Sequence, residues 1–273
     1  MMKDKNKRFE GKVSVVTGAG GVLCSVIAEA LAAEGSSVAV LDIRDDSAEK
    51  VASSIRHNGV KSIAVKVDVT NRASVESACQ KVVKAFGTID FLINGAGGNV
   101  PRASTSETQS FFDIPQDALE FVVNMNLIGT IIPCQVFGKV MAEKGEGVIL
   151  NFSSMNAFRP LTKIPGYSAA KAGVSNFTQW LAVHMAQNYS KKIRVNAVAP
   201  GFFITNQTKY LLVNEDGAPS PRGKAVLDHT PMGRFGEPKD LIGTVFYLLS
   251  EDSAFVTGVV IPVDGGFSAF SGV

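Results

Sequence analysis

Cysteine, histidine and tryptophan are scarce in this chain, at three, three and one among 273 residues. Cys24, Cys79 and Cys134 are odd in number and far apart, with no CxxC pair, so they suit neither a disulfide framework nor a zinc site. His57 and His229 have no carboxylate or cysteine at ligand spacing, and no metal is expected. Charge of one sign is lacking too: 27 basic against 25 acidic residues leave +2, without the basic footprint of a nucleic-acid binder. No apolar run approaches the roughly 18 residues that would span a bilayer. The opening stretch 1–12 is charged and polar, with no apolar core for a signal peptide. The expectation is a cytoplasmic protein with neither a membrane nor a nucleic-acid partner. What is present is a hydrophobic fraction of 45%, enough for a sizeable core, and 26 glycines gathered in clusters.

Short, β-branched apolar runs at 13–17, 38–42, 63–68, 89–94, 148–153, 194–199 and 259–263 read as seven buried strands. Amphipathic helices near 22–34, 45–57, 71–86, 116–143, 167–189 and 238–249 lie between them. This alternation predicts an α/β fold, a doubly wound seven-stranded parallel sheet with helices on both faces, as one Rossmann-like domain over 1–273. Two stretches break the rhythm. Residues 97–117 follow the fourth strand, and residues 202–237 follow the sixth with Gly217, Pro219, Pro221, Gly223 and Pro231. Both lie beyond carboxyl ends of strands, where open sheets place ligands. The first is expected to be a substrate wall and the second a mobile lid.

The first strand runs through Thr17 and Gly18 into a helix. A tight turn there presents free N–H groups and a positive dipole end to a pyrophosphate. Asp42 closes the second strand near the place where an acid receives ribose hydroxyls, although it could equally cap the following helix. Arg44 could accept a 2′-phosphate, but a carboxylate aimed at the ribose repels that phosphate, and Asp45 and Asp46 add to the repulsion. NAD is therefore the expected cofactor, ahead of NADP.

Tyr167 and Lys171 stand four residues apart, on one face of a helix. A free tyrosine titrates near pH 10, and a neighbouring ammonium favours the phenolate and brings it closer to working range. Ser154, just past the fifth strand, could hydrogen-bond a carbonyl oxygen alongside the tyrosine. Asn126 sits inside a long helix, where asparagine has mediocre propensity. With Asn94-Gly95-Ala96-Gly97 and Pro200-Gly201 added, the sequence resembles the short-chain dehydrogenase/reductase family over essentially its whole length. The motifs are TGAGG at 17–21, NGAG at 94–97, NFSS at 151–154, YSAAK at 167–171 and APGFFIT at 199–205.

The resemblance implies that Tyr167 is the general acid in reduction and the base in oxidation. It implies that Lys171 binds the nicotinamide ribose and lowers the tyrosine pKa. Ser154 would orient the carbonyl, and Asn126 would hold a water in the proton relay. Asp68 and Val69 would flank the adenine, Asn94 would brace the sheet, and Thr205 would reach the carboxamide. Ala96, Gly97, Pro200, Gly201 and Phe203 complete the implied cofactor set. The family forms tetramers or dimers. One departure stands out. The family loop TGxxxGxG has Val22 and Cys24 at its second and third glycine positions here. Valine excludes positive φ, so the diphosphate is expected on Gly20, Gly21 and the N–H of Leu23, while the thiol fills the helix–strand contact.

Within the family the sequence is most similar to the D-mannonate oxidoreductase (fructuronate reductase) branch, through GAGGN at 95–99, the stretch 153–173, SNFTQWLAVH at 175–184 and HTPMGRFGEP at 229–238. The implied partner is a small keto-sugar acid. Asn99, Arg102, Asn156 and Arg159, with Lys163, border the expected reacting carbon. An arginine would clamp the carboxylate, and amides would take hydroxyls. A gluconate 5-dehydrogenase-like enzyme, a 3-oxoacyl carrier protein reductase-like enzyme and a non-catalytic nucleotide sensor stand as alternatives. Trp180 reads as core or subunit interface and His184 as a packed or capping residue. Phe202, Phe203, Phe235 and Phe267 either line a pocket or pack.

Overall fold

A computed structural model describes residues 7–205 and 208–272. Residues 206 and 207 of the long 202–237 loop, and the first six of the polar opening stretch, lie outside the described residues. The apolar runs form β1 (Val13–Thr17), β2 (Ser37–Asp42), β3 (Ser62–Lys66), β4 (Phe91–Asn94), β5 (Gly147–Phe152), β6 (Ile193–Pro200) and β7 (Val260–Val263). All pair in parallel, in the order β3-β2-β1-β4-β5-β6-β7. Strands of such a sheet are buried on both faces, so β1, β4, β5 and β6 are buried along their whole length and read as continuous apolar runs, not alternating ones.

Helices α1 (Val22–Ala33) and α2 (Asp45–His57) cover one face, and α3 (Arg72–Phe86) the other. The sequence reading of one helix over 116–143 is corrected. The segment is α4 (Gln116–Val123), a π-helical turn Asn124–Ile128, and α5 (Gly129–Lys144). This stretch of 29 residues is also long and apolar enough to cross a membrane, contrary to the expectation that no run would be. In the fold, Phe137 and Met141 of α5 are instead buried against Ile149 of β5 and the rest of that core. Each such side chain contributes about 1.5–3 kcal/mol on burial. Helix α6 (Pro165–Asn188) packs beside it. The 202–237 stretch contains two short helices, α7 (Lys209–Leu212) and α8 (Pro221–Asp228), and α9 (Ile242–Leu249) returns to the first face.

Register brings the motifs together. Thr17 lies opposite Leu41 and Asn94, Asn94 opposite Asn151, Phe152 opposite Val198, and Pro200 opposite Val263. Every stretch singled out in the sequence therefore leaves the sheet at the same edge, across the point between β1 and β4 where the strand order reverses.

Candidate active site

A cleft of about 1370 Å³ runs along this edge. At one end, Gly21 begins α1 with no side-chain cap and no acid in the first turn, which leaves the helix N–H groups open to an anion. Gly18 takes φ +66°, and a methyl group there would meet the Ala96 backbone at 2.8 Å. Val22 sits at the first helical position with no positive φ, so the missing second glycine strains nothing. Asp42 is buried. Its Oδ2 accepts from the Gly20 N–H at 2.9 Å and its Oδ1 from the Arg44 N–H at 2.9 Å. The Arg44 guanidinium folds back to 3.6 Å from the same carboxylate. Asp68 caps its own turn by accepting from the Thr70 N–H and hydroxyl, and it reaches the cleft wall with Val69.

Cys24 is buried with its thiol against Gly95, where a methyl group would overlap Sγ. The thiol thus fills the helix–strand contact as expected, and burial pushes its pKa up to about 12, so it stays protonated. Sequence reasoning missed the counterpart, which is that position 95 has to be glycine because position 24 is not. The Thr17 hydroxyl, also missed, accepts from the Ala96 N–H at 3.2 Å and ties the two loops together.

Ser154, Tyr167 and Lys171 meet at the other end of the cleft. Lys171 is buried and donates from Nζ to the Phe152 carbonyl at 2.7 Å, with Nζ 5.6 Å from the centroid of the Tyr167 ring. Burial lowers the lysine pKa to about 8. Burial also raises the Tyr167 phenol above its ordinary value, against an opposing hydrogen bond with Ser154. Desolvation thus disfavours the charged form of both groups.

Asn126 falls at the break in the long helix. It lies in the π turn, fully buried and outside the cleft lining. Its Oδ1 accepts from the Gly98 N–H at 3.0 Å, and its Nδ2 donates to the carbonyls of Gly98 (2.7 Å) and Val122 (2.8 Å). Its own carbonyl accepts from the Thr130 hydroxyl. Asn126 thus clasps the backbone of Gly98, which lines the cleft. Asn94 also sits behind the lining, where its Nδ2 donates to Asn151 Oδ1 at 2.9 Å and braces β4 against β5. Gly20, Gly21, Leu23, Ala96, Gly97, Pro200, Gly201, Phe203 and Thr205 all line the cleft as expected.

The substrate candidates fare differently, because Asn99, Arg102, Asn156 and Arg159 all lie outside the lining. Asn99 donates to Ser104 at 2.8 Å, and Arg102 is ion-paired with Asp117 at 3.1 Å on the surface. Asn156 is buried, its Oδ1 without a partner among the described residues. Arg159 is exposed; its guanidinium donates to the adjacent Phe158 carbonyl and its backbone N–H to the Met155 carbonyl. Unforeseen lining comes from Phe121 at the end of α4 and from Asn124, Met125 and Ile128 of the π turn.

A doubly wound sheet with Ser, Tyr and Lys converging beside a glycine-rich turn defines a short-chain dehydrogenase/reductase. The chain belongs to that family: the family model described as enoyl-(acyl carrier protein) reductase matches residues 20–268. It is similar to an uncharacterized oxidoreductase of Haemophilus influenzae, 48% identical over 98% of this chain and 97% of that one. It is also similar to the uncharacterized oxidoreductase UxuB of Bacillus subtilis (strain 168), 45% identical over 98% and 99%. A Haemophilus crystal structure with bound NAD, provisionally assigned as a D-mannonate oxidoreductase, superposes with a TM-score of 0.91. It is 48% identical and covers 98% of this chain and 99% of its own. The protein is an oxidoreductase of this family.

Proposed function

We propose that this oxidoreductase uses NAD(H) to interconvert a secondary alcohol and a ketone on a sugar acid, with D-fructuronate and D-mannonate as the pair. The observation that carries the reading is the cleft itself, with a buried Asp42 carboxylate at one end and Ser154, Tyr167 and Lys171 at the other. These residues fit the dinucleotide. The uncapped start of α1 suits a pyrophosphate, Asp42 retains lone pairs for ribose hydroxyls, and Arg44 is drawn onto Asp42 instead of standing ready for a 2′-phosphate. NAD(H), when bound, supplies or takes the hydride at the substrate carbon.

The chain's own groups handle the proton. Burial keeps the Tyr167 phenol protonated, the form that donates to a ketone oxygen during reduction. Ser154 orients that oxygen from beside the phenol, and Lys171 would hold the ribose of a bound cofactor. The sugar-acid assignment is supported by similarity to the Haemophilus structure. Of the expected carboxylate clamps, Arg102 is ion-paired with Asp117, whereas Arg159 makes no ion pair among the described residues and is the better candidate. Residues 97–117 form the wall, joined to the Arg159 loop where the Thr105 N–H donates to the Lys163 carbonyl, and 202–237 form the lid. A cytoplasmic enzyme assembled as a dimer or tetramer goes with this reading, and the exposed Trp180 on α6, stacked on the half-buried His184 beside the exposed Tyr189 at the helix end, suits contact between copies.

The test is NADH oxidation followed with D-fructuronate, an uncharged ketone and an acyl thioester, then repeated with NADPH. We expect turnover of the sugar acid with NADH. Preference for the thioester or for NADPH overturns the reading. Arg159→Ala should raise KM for the sugar acid about tenfold or more and leave the uncharged ketone unaffected.

A further inference from the structure

Beyond β7 the chain folds into a turn that caps itself. Asp264 Oδ1 accepts from the Gly266 N–H at 3.0 Å and Oδ2 from the Ser268 N–H at 2.9 Å, and the Phe270 N–H donates to the Gly266 carbonyl at 3.1 Å. This turn sits between the two ends of the 202–237 lid. On the outgoing side, a methyl group on Gly201 would meet Asp264 Cβ at 2.6 Å, and the Phe202 ring stands edge-on to Phe267 at 5.2 Å. On the returning side, the Met232 N–H donates to the Gly265 carbonyl at 3.1 Å. The His229 ring lies 6.4 Å from Phe267 and 6.3 Å from Phe270. The lid ends are also tied to each other, since the Gly236 N–H donates to the Phe202 carbonyl at 2.8 Å.

Phe202 is the residue through which this packing reaches the cleft. It lines the cleft and also a smaller cavity of about 240 Å³ enclosed with Met232, Asp264 and Gly265. Phe267 lines neither and backs Phe202 from behind. The edge-to-face pairing with Phe267 holds the Phe202 ring in one position.

We propose that the C-terminal turn 264–270 clamps both roots of the lid, and that Phe267 is a positioning residue that sets substrate fit through Phe202 without contributing to cofactor affinity. The clamp rests on geometry, while its effect on substrate fit rests on the oxidoreductase reading above. Two readouts keep them apart: amide hydrogen exchange across the chain, which needs no substrate, and steady-state kinetics with NADH and D-fructuronate.

In Phe267→Ala, exchange should rise about tenfold at the Met232 and Gly236 amides while the β1 and β4 amides stay protected. KM for the keto acid should rise about fivefold or more, with kcat and the Kd for NADH within about twofold of the parent. Phe267→Leu should recover most of the loss, because it refills the volume. The clamp is overturned if exchange at the lid roots is unchanged, or if it rises equally over the whole sheet. An NADH Kd that rises in step with KM overturns the division between substrate fit and cofactor affinity. Should the parent turn over no sugar acid, the proposed function fails, while the exchange result still judges the clamp. If Phe267→Ala does not fold, Phe270→Ala, which removes only the second ring against His229, is judged by the same two measurements.

Discussion

The two ends of the cleft are built in opposite ways. At the cofactor end the shape is set by glycines in close contact with neighbouring elements: Gly18 on the Ala96 backbone, Gly20 on the Ser47 and Asp42 side chains, Gly97 on the Asn126 amide, and the Cys24 thiol in the space left by Gly95. At the substrate end the polar side chains belong to loops and find partners within those loops, as with Arg102 and Asp117 or Asn99 and Ser104. A dinucleotide presents the same pyrophosphate and ribose to every enzyme that uses it, so rigid elements can hold it. Substrate recognition is carried by loops over that scaffold. Changes at the first end should therefore act through stability and geometry, and most changes at the second should act weakly or through KM alone.

The largest effect should follow from removing the proton that both ends serve. Tyr167→Phe is expected to lower turnover about 10²–10⁴-fold, the usual contribution of a positioned general acid. NADH binding, followed by fluorescence titration, should stay within about twofold, because the ring and its packing remain. Loss of binding together with turnover would mean that the tyrosine shapes the cleft more than it moves a proton.

Lys171 gives the next largest effect, read as stability against pH. Its pKa of about 8 in the fold, against 10.5 in the unfolded chain, means that burying the charge costs on the order of 3 kcal/mol. Below pH 8 the lysine is charged in both states and the whole penalty applies. Between about pH 8 and 9 the unfolded chain holds a proton at Lys171 that the folded one has released, so stability should rise with pH there; above about pH 9 the buried Cys24, Cys79 and Cys134 thiols, which the fold keeps protonated, act in the opposite sense. Denaturant titrations of the cofactor-free protein should show this rise. Lys171→Met should be the more stable protein at pH 7 and should lack the rise.

Gly95→Ala tests the interlock at the cofactor end. The added methyl group overlaps the Cys24 thiol inside a packed contact, and overpacking of this kind costs about 1–3 kcal/mol. The melting temperature should fall, and adding Cys24→Gly should restore most of it, because the second change vacates the space the first one needs. Additive losses in the double variant would show that the two positions are not coupled.

How much of this was legible in the sequence follows from the same division. Continuous β-branched runs mark strands buried on both faces, so the sheet and its order of elements could be read directly. Tyr167, Lys171 and Gly18 could be singled out because their motifs, taken together with Asn94–Gly97 and Pro200-Gly201, resemble the family's; their spacing alone would not have distinguished them from surface residues. The break at Asn124–Ile128 could not, since a π turn leaves the apolar pattern on either side intact. Helix α7, with four residues, is too short to show any period. The fit between Cys24 and Gly95 joins residues far apart in sequence, and only the β1–β4 register brings them together. The partners of Arg102 and Asn99 were hidden for a different reason: loop conformation decides them, and no periodic signal encodes it.

The smallest effect is the one that most sharpens the contrast. Arg102→Ala removes a guanidinium whose side chain is 65% exposed and whose partner Asp117 is 68% exposed. Exposed pairs of this sort contribute about 0–1 kcal/mol, so the melting temperature should hardly move. If the arginine serves only this pair, KM for a sugar acid should also stay within about twofold, unlike the larger rise expected for Arg159→Ala. Both residues are basic, exposed and within a few residues of the wall, so their charge alone cannot separate them. Asp117 does, because an arginine already neutralised by a neighbouring carboxylate has to give up that partner before it can take another. A sugar-acid KM that rises as much for Arg102→Ala as for Arg159→Ala would show that Asp117 is released on binding, and that the wall at 97–117 rearranges around the substrate instead of waiting for it.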